Sequence, residues 1–127
     1  MNLESFPQKL KSLRFAKNLT LQQLATALGH TKATIGNLEN ANKQPSLRLI
    51  TAIADYFDVP TDYLLGRGVF ANWEQIEPHK EKIQQQITAL TGIVFDQKQT
   101  GFIMQLFAAL IKSIDFDDDQ MTIHWNI

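Results

Sequence analysis

From Leu19 to Ser46 the chain reads LTLQQLATALGHTKATIGNLENANKQPS, two short runs of helical spacing interrupted at Gly29. In the first run Leu21, Leu24, Ala25 and Leu28 share one face. In the second, Ile35 and Leu38 point inward, so the two predicted helices close one small core. The turn chemistry agrees: Gly29 can take the left-handed conformation that ends a helix, Thr31 can cap the next helix, and Thr20 can cap the first. Ala25 is small where the two helices cross most closely. The periodicity extends on both sides. Phe6, Leu10, Leu13 and Lys17 space an earlier helix, and Leu47, Ile50, Ile53, Ala54 and Phe57 space a later one capped by Ser46. Val59 to Gly66 predicts a short fifth helix, capped at Thr61 and stopped at Gly66.

Beyond Arg67 the pattern changes. Pro78 falls in the first turn of a predicted helix, after which Ile83, Ile87, Leu90 and Val94 recur at helical spacing. A second tail helix is expected from near Asp96. It presents Phe102, Ile103, Leu106, Phe107, Leu110, Ile111 and Ile114, more apolar surface than a lone helix leaves to water. Its cover is the other tail helix, the head, or the same helices of a second chain, and the last is favoured. The run from Phe102 to Ile114 is too short to span a bilayer and holds Gln105 and Lys112. At the end, Met121, Ile123, Trp125 and Ile127 alternate with Thr122, His124 and Asn126, a period of two that predicts a strand. Its partner is either Ile114 to Phe116, across Asp117-Asp118-Asp119-Gln120, or a strand across a dimer axis.

Composition changes the picture at one point. The 127 residues carry a net charge of −1, yet the charge is unevenly placed. Residues 1–68 hold eight basic side chains against five acidic, net +3, and residues 69–127 hold four against eight, net −4. A basic head with an acidic tail suits contact with nucleic acid through the head, with modest nonspecific affinity. Cysteine is absent, so neither a disulfide framework nor a thiolate metal site is available. No secretory signal pattern precedes the first helix, and a cytoplasmic location is expected.

The residues Leu24-Ala25, Gly29, Thr31, Thr34-Ile35, Leu38-Glu39-Asn40 and Pro45-Ser46, at this spacing, carry a resemblance. Over about residues 6 to 66 the chain resembles the phage-repressor and Cro-like, or Xre-type, helix-turn-helix DNA-binding family. The resemblance implies a mainly α fold: a five-helix lambda-repressor-like domain over residues 1–68. The resemblance does not reach the tail, whose own periodicity gives the expectation of a helical C-terminal region, 69–127, ending in a β-strand or hairpin and serving dimerisation or regulation. It also implies a function, that of a sequence-specific regulator of transcription, a dimeric repressor that binds double-stranded DNA.

By that resemblance the second helix of the motif, Thr31 to Asn40, enters the major groove. Lys32, Ala33, Thr34 and Asn37 are then the base readers. Lys32 can donate to guanine O6 or N7, Asn37 can pair with adenine N6 and N7, and the methyl of Ala33 or Thr34 can meet a thymine methyl. Thr20, Thr31, Asn40, Lys43 and Arg48 are the expected phosphate contacts, which position the helix without reading sequence. Arg14 and Glu39 stand where relatives tie the first helix to the third. Three departures accompany the match. Leu21 replaces a phosphate-contacting Gln, Gly36 lies inside the reading helix, and Ala41 replaces a Gly, so the helix exit is expected to differ slightly.

Other chemistries fit less well. Asp115, Asp117 and Asp119 have the alternate spacing of a calcium loop, but Gln120 and Asn126 stand where that loop needs Gly and Glu. His30, His79 and His124 lack any paired ligand spacing, so no metal or cofactor is expected. No Gly-rich phosphate loop or nucleophile motif is present, and an enzyme is not expected. The alternative function is a protein-interaction module, such as an antitoxin or an anti-repressor partner, with weak DNA binding. Leu21, Gly36 and the small positive charge lean toward it, and Lys32, Asn37 and Lys43 lean toward the regulator.

Overall fold

A computed structural model describes residues 5–94, 99–118 and 120–126. The head is built of α1 (Phe6–Ala16), α2 (Leu21–Leu28), α3 (Lys32–Glu39), α4 (Leu47–Phe57) and α5 (Thr61–Leu65). Each end is set by local chemistry. Thr20 accepts a hydrogen bond from Gln23 N–H at 3.1 Å while Gln23 Oε1 accepts one from Thr20 N–H at 2.8 Å, so two otherwise unpaired amides are satisfied reciprocally. Gly29, at φ 72°, ends α2, and His30 N–H reaches back to the Ala25 carbonyl at 2.9 Å. Thr31 caps α3 and Ser46 caps α4 through Thr34 and Leu49 N–H.

The tail continues as α6 (Trp73–Ile76), a 3₁₀ turn at Glu77–His79, α7 (Lys80–Thr91), α8 (Thr100–Leu106), a second 3₁₀ turn at Ala108–Leu110, and the strands β1 (Ile111–Asp117) and β2 (Gln120–Trp125). The strands form an antiparallel hairpin closed at Asp117 and Gln120, with a register shift between Ile111 and Ser113. Met121 and Ile123 of β2 are buried while Thr122 and His124 are exposed, as a strand with one covered face requires. Strand β2 packs toward α7: Lys82 Nζ donates to the Met121 carbonyl at 2.8 Å, and Trp125 Nε1 donates to Gln86 Oε1 at 3.1 Å.

Head and tail share one hydrophobic cluster, running from Phe6, Leu24 and Ile53 through Phe70, Trp73 and Ile83 to Met104, Met121 and Ile123. Polar contacts reinforce the junction. Tyr63 of α5 donates its hydroxyl to Glu74 of α6, and Lys9 of α1 donates to the Tyr63 carbonyl at 2.6 Å. Burial, and then the Glu74 carboxylate, push the Tyr63 phenol far above its ordinary pKa, which keeps it a donor.

Several expectations are corrected. The apolar run Phe102 to Ile114 is not one helix: α8 stops at Leu106, and Ile111 onward is strand. An unbroken apolar run does not distinguish helix from buried strand, and the pairing with β2 decides it here. Asn126 N–H also bonds the Leu110 carbonyl at 2.8 Å, anchoring the start of that strand. Thr61 does not cap α5, because Pro60 holds that position and the Thr61 hydroxyl instead donates to Gln105 Oε1 of α8 at 3.2 Å. Leu47 is 75 % exposed. It lies at the edge of the helical face whose centre is Ile50, Ile53 and Phe57, and Leu49 takes the inward place. Pro78 precedes α7 in the 3₁₀ turn, while Leu90 and Val94 are exposed. The expected helix start near Asp96 lies outside the described residues, as do Asp119 and Ile127.

Candidate nucleic-acid interface

Helix α3 buries Ile35 and Leu38 against the head core and turns Lys32, Ala33, Asn37 and Asn40 to solvent. At 100° per residue these four positions fall on the side opposite the buried pair or beside it, so the amphipathic pattern alone presents them together. Thr34 is half-buried and its Oγ1 lies 2.9 Å from Thr31 Oγ1, so it is tied into the cap more than the other three. Thr20 and Thr31 are exposed, and both hydroxyls accept from a backbone amide; Thr20 keeps its proton to donate, while Thr31 shares a hydroxyl hydrogen bond with Thr34. The first amides of α2 and α3 have no carbonyl within their own helix to bond, which leaves them oriented toward an anion.

The cations of the head divide into two groups. Arg14 is structural: its Nε and Nη2 donate to the two Glu39 oxygens at 2.7 and 2.9 Å, and its Nη1 donates to the Leu19 carbonyl at 2.8 Å. The two side chains are 9 % and 6 % exposed, and the hydrogen bonds it donates to Glu39 hold the guanidinium above its ordinary pKa. Lys9 is drawn to the Tyr63 carbonyl, and Lys17 lies 4.9 Å above the Tyr56 ring. By contrast Lys32 on α3, Lys43 in the following loop and Arg48 in the first turn of α4 are exposed and form no ion pair among the described residues. Lys11 on α1 is exposed as well, 5.9 Å from the Phe15 ring centroid, so among the described residues of the head the cations clustered without an acidic or ring partner are those at and just after α3.

Between them, the exit from α3 runs through Ala41 at φ 60°, a left-handed conformation that normally falls to glycine. The exit is closed by Asn42 N–H on the Asn37 carbonyl at 2.9 Å. Ala41 therefore holds the left-handed turn at a cost in strain and does not avoid it.

Residues 10–64 match the family profile described as helix-turn-helix. The head is a helix-turn-helix domain of the Cro-like type. It is similar to the HTH-type transcriptional regulator AnsR of Bacillus subtilis, 42 % identical over 67 residues that make up 53 % of this chain and 54 % of that one. It is 41 % identical over 59 residues to the uncharacterized HTH-type transcriptional regulator YobD of the same organism, covering 46 % of this chain and 53 % of YobD. The HTH-type transcriptional activator BcrR of Enterococcus faecalis shares 37 % identity over 60 residues, covering 47 % of this chain and 29 % of BcrR. The chain spans about half the length of the first two relatives.

One participant in the helix-turn-helix head was missed in the sequence pattern: Gln23, whose side chain closes the capping box at the start of α2. The signal was present as Thr20-x-x-Gln23 before an apolar run. In the tail, His124 Nε2 lies 2.7 Å from Asp115 Oδ2 across the hairpin, and both are exposed. No described helix is long and apolar enough to cross a membrane.

Proposed function

We propose that this chain is a sequence-specific regulator of transcription that binds double-stranded DNA through α3 in the major groove. The observation that carries the reading is the exposed face Lys32, Ala33, Asn37 with Lys43 and Arg48 after it, three cations in all that no acidic side chain neutralises among the described residues. Lys32 and Asn37 offer the donors and acceptor that read guanine and adenine, and Ala33 and Thr34 offer methyls for thymine. Thr20, Thr31, Asn40, Lys43 and Arg48 hold the phosphates and set the register. Arg14 and Glu39 fix α1 to α3, so that α3 is presented rigidly. The names of AnsR and YobD as transcriptional regulators support the same reading.

Residues 1–68 form the DNA-binding unit in this proposal, and residues 69–127 join two copies into a dimeric repressor. Phe102 and Leu106 support the second part: four apart on α8, they share one face and are 52 % and 61 % exposed. Leu90, Ile93 and Val94, at the end of α7 and just beyond it, add further exposed apolar surface. A two-fold pair of heads places two reading helices about one DNA turn apart and offsets the modest charge of each. Selection of the full chain against random duplex DNA tests the DNA part, and enrichment of a palindromic motif is expected. Light scattering of wild type and Leu106→Glu tests the dimer, with twice the chain mass expected only for wild type.

A further inference from the structure

Gly36 stands one turn after Lys32, so the two share a flank of α3 that borders the exposed face. Among the described residues, a Cβ placed on Gly36 would find a single neighbour outside its own helix within 4 Å, Leu21 Cδ1 at 4.0 Å. The backbone there is not left-handed, and no described residue stands in the way of a methyl group. Glycine is thus not demanded by the fold, although it is less favourable than alanine in a helix interior. What glycine creates is a notch on the flank of α3, floored by backbone and walled by the methyl of Leu21. Leu21, the first residue of α2, is half-buried, so part of its side chain remains accessible beside that notch.

We infer that Leu21 is a specificity-determining residue that reads the C5-methyl of a thymine admitted by the notch at Gly36. The inference rests on the proposed binding of α3 in the major groove. The thymine edge there offers one acceptor, O4, and one methyl, and cytosine lacks the methyl. Leucine has no hydrogen-bonding group, so it recognises only the methyl. Lys32, one turn back on the same flank, serves the neighbouring base with its charge. Together they give adjacent positions opposite preferences, one polar and one apolar.

The test uses the full chain and a half-site obtained by selection from random duplex DNA. Each thymine of the half-site is replaced in turn by uracil, which lacks only the C5-methyl, and Kd is measured by fluorescence anisotropy. Replacing the thymine read by Leu21 is expected to weaken wild type about fourfold, the value of burying one methyl group, apart from any thymine met by Ala33 or Thr34. Leu21→Ala should lose that sensitivity at that position alone. Gly36→Ala, which has room for its methyl and so keeps the fold, should also lose it by filling the notch. If every uracil duplex binds wild type as well as the thymine duplex, or if both variants keep the full sensitivity, the inference is overturned while DNA binding stands. If no half-site is enriched at all, the DNA-binding reading falls and takes this inference with it.

Discussion

Gly101 of α8 lies so close to Val59 that a Cβ on it would stand 2.6 Å from the Val59 carbonyl carbon and 2.7 Å from its amide nitrogen. These are backbone atoms and cannot swing aside. The approach is fixed by a hydrogen bond, since Gly101 N–H donates to Asp58 Oδ1 at 2.7 Å, and Asp58 itself ends α4 in a left-handed conformation at φ 53°. The tail thus docks on the α4–α5 corner of the head through a contact that only glycine permits.

Gly101→Ala should therefore destabilise the chain. Inside a free helix the same change would gain about 1 kcal/mol. Here the clash should outweigh it and lower the unfolding free energy by about 1–3 kcal/mol, the usual range for an overpacked contact. Urea unfolding followed by circular dichroism measures this, and a stabilised variant would show that α8 does not sit against Val59.

The strained exit from α3 predicts a change of opposite sign. Ala41 sits at φ 60°, where a side chain costs about 1–2 kcal/mol, while glycine loses somewhat more entropy on folding. Ala41→Gly should raise the melting temperature by a few degrees. A lower one would mean that the left-handed turn at Ala41 carries no strain.

The Arg14–Glu39 pair predicts an asymmetry. Both side chains are nearly buried, so Glu39→Ala leaves a guanidinium without its partner and should cost about 3–5 kcal/mol. The double replacement Arg14→Met with Glu39→Leu should cost much less, because no uncompensated charge remains. A double-mutant cycle in denaturant reads the coupling. Near-additive losses would mean that the pair contributes little.

What could be read in the chain was what short segments decide for themselves. Thr20, Thr31 and Ser46 cap helices and Gly29 ends one because each acts on amides or carbonyls within a few residues. The break at Leu106 was not legible, because Ile111 and Ile114 become strand only by pairing with Trp125 and Ile123. Thr61 looked like a cap, and its hydroxyl is taken by Gln105, 44 residues away. The candidate site divides in the same way. The exposed face of α3 followed from Ile35 and Leu38 alone. Which cations remain free did not, since Lys9 is spent on the Tyr63 carbonyl and Lys17 packs over the Tyr56 ring, contacts that exist only in the folded head.

Lys43, exposed in the loop after α3, should act on affinity without sequence preference. Lys43→Ala is expected to weaken matched and mismatched duplexes by the same factor. It should also reduce the slope of log K against log salt by about 0.9 for each phosphate contact removed. Titrations at several salt concentrations check both. A change in base preference with unchanged slope would place Lys43 among the base readers.

The central claim, that α3 reads base edges, is tested most directly by Asn37→Ala against a set of duplexes that vary one base pair at a time in the selected half-site. Asn37 is exposed on α3 and carries no fold-maintaining side-chain contact among the described residues, so the variant should keep its stability. The expected result is a loss of discrimination at one adenine position, worth about 1–3 kcal/mol, with preferences elsewhere retained. An unchanged preference at every position, or an equal loss on all duplexes, would contradict the assignment of α3 as the reading helix.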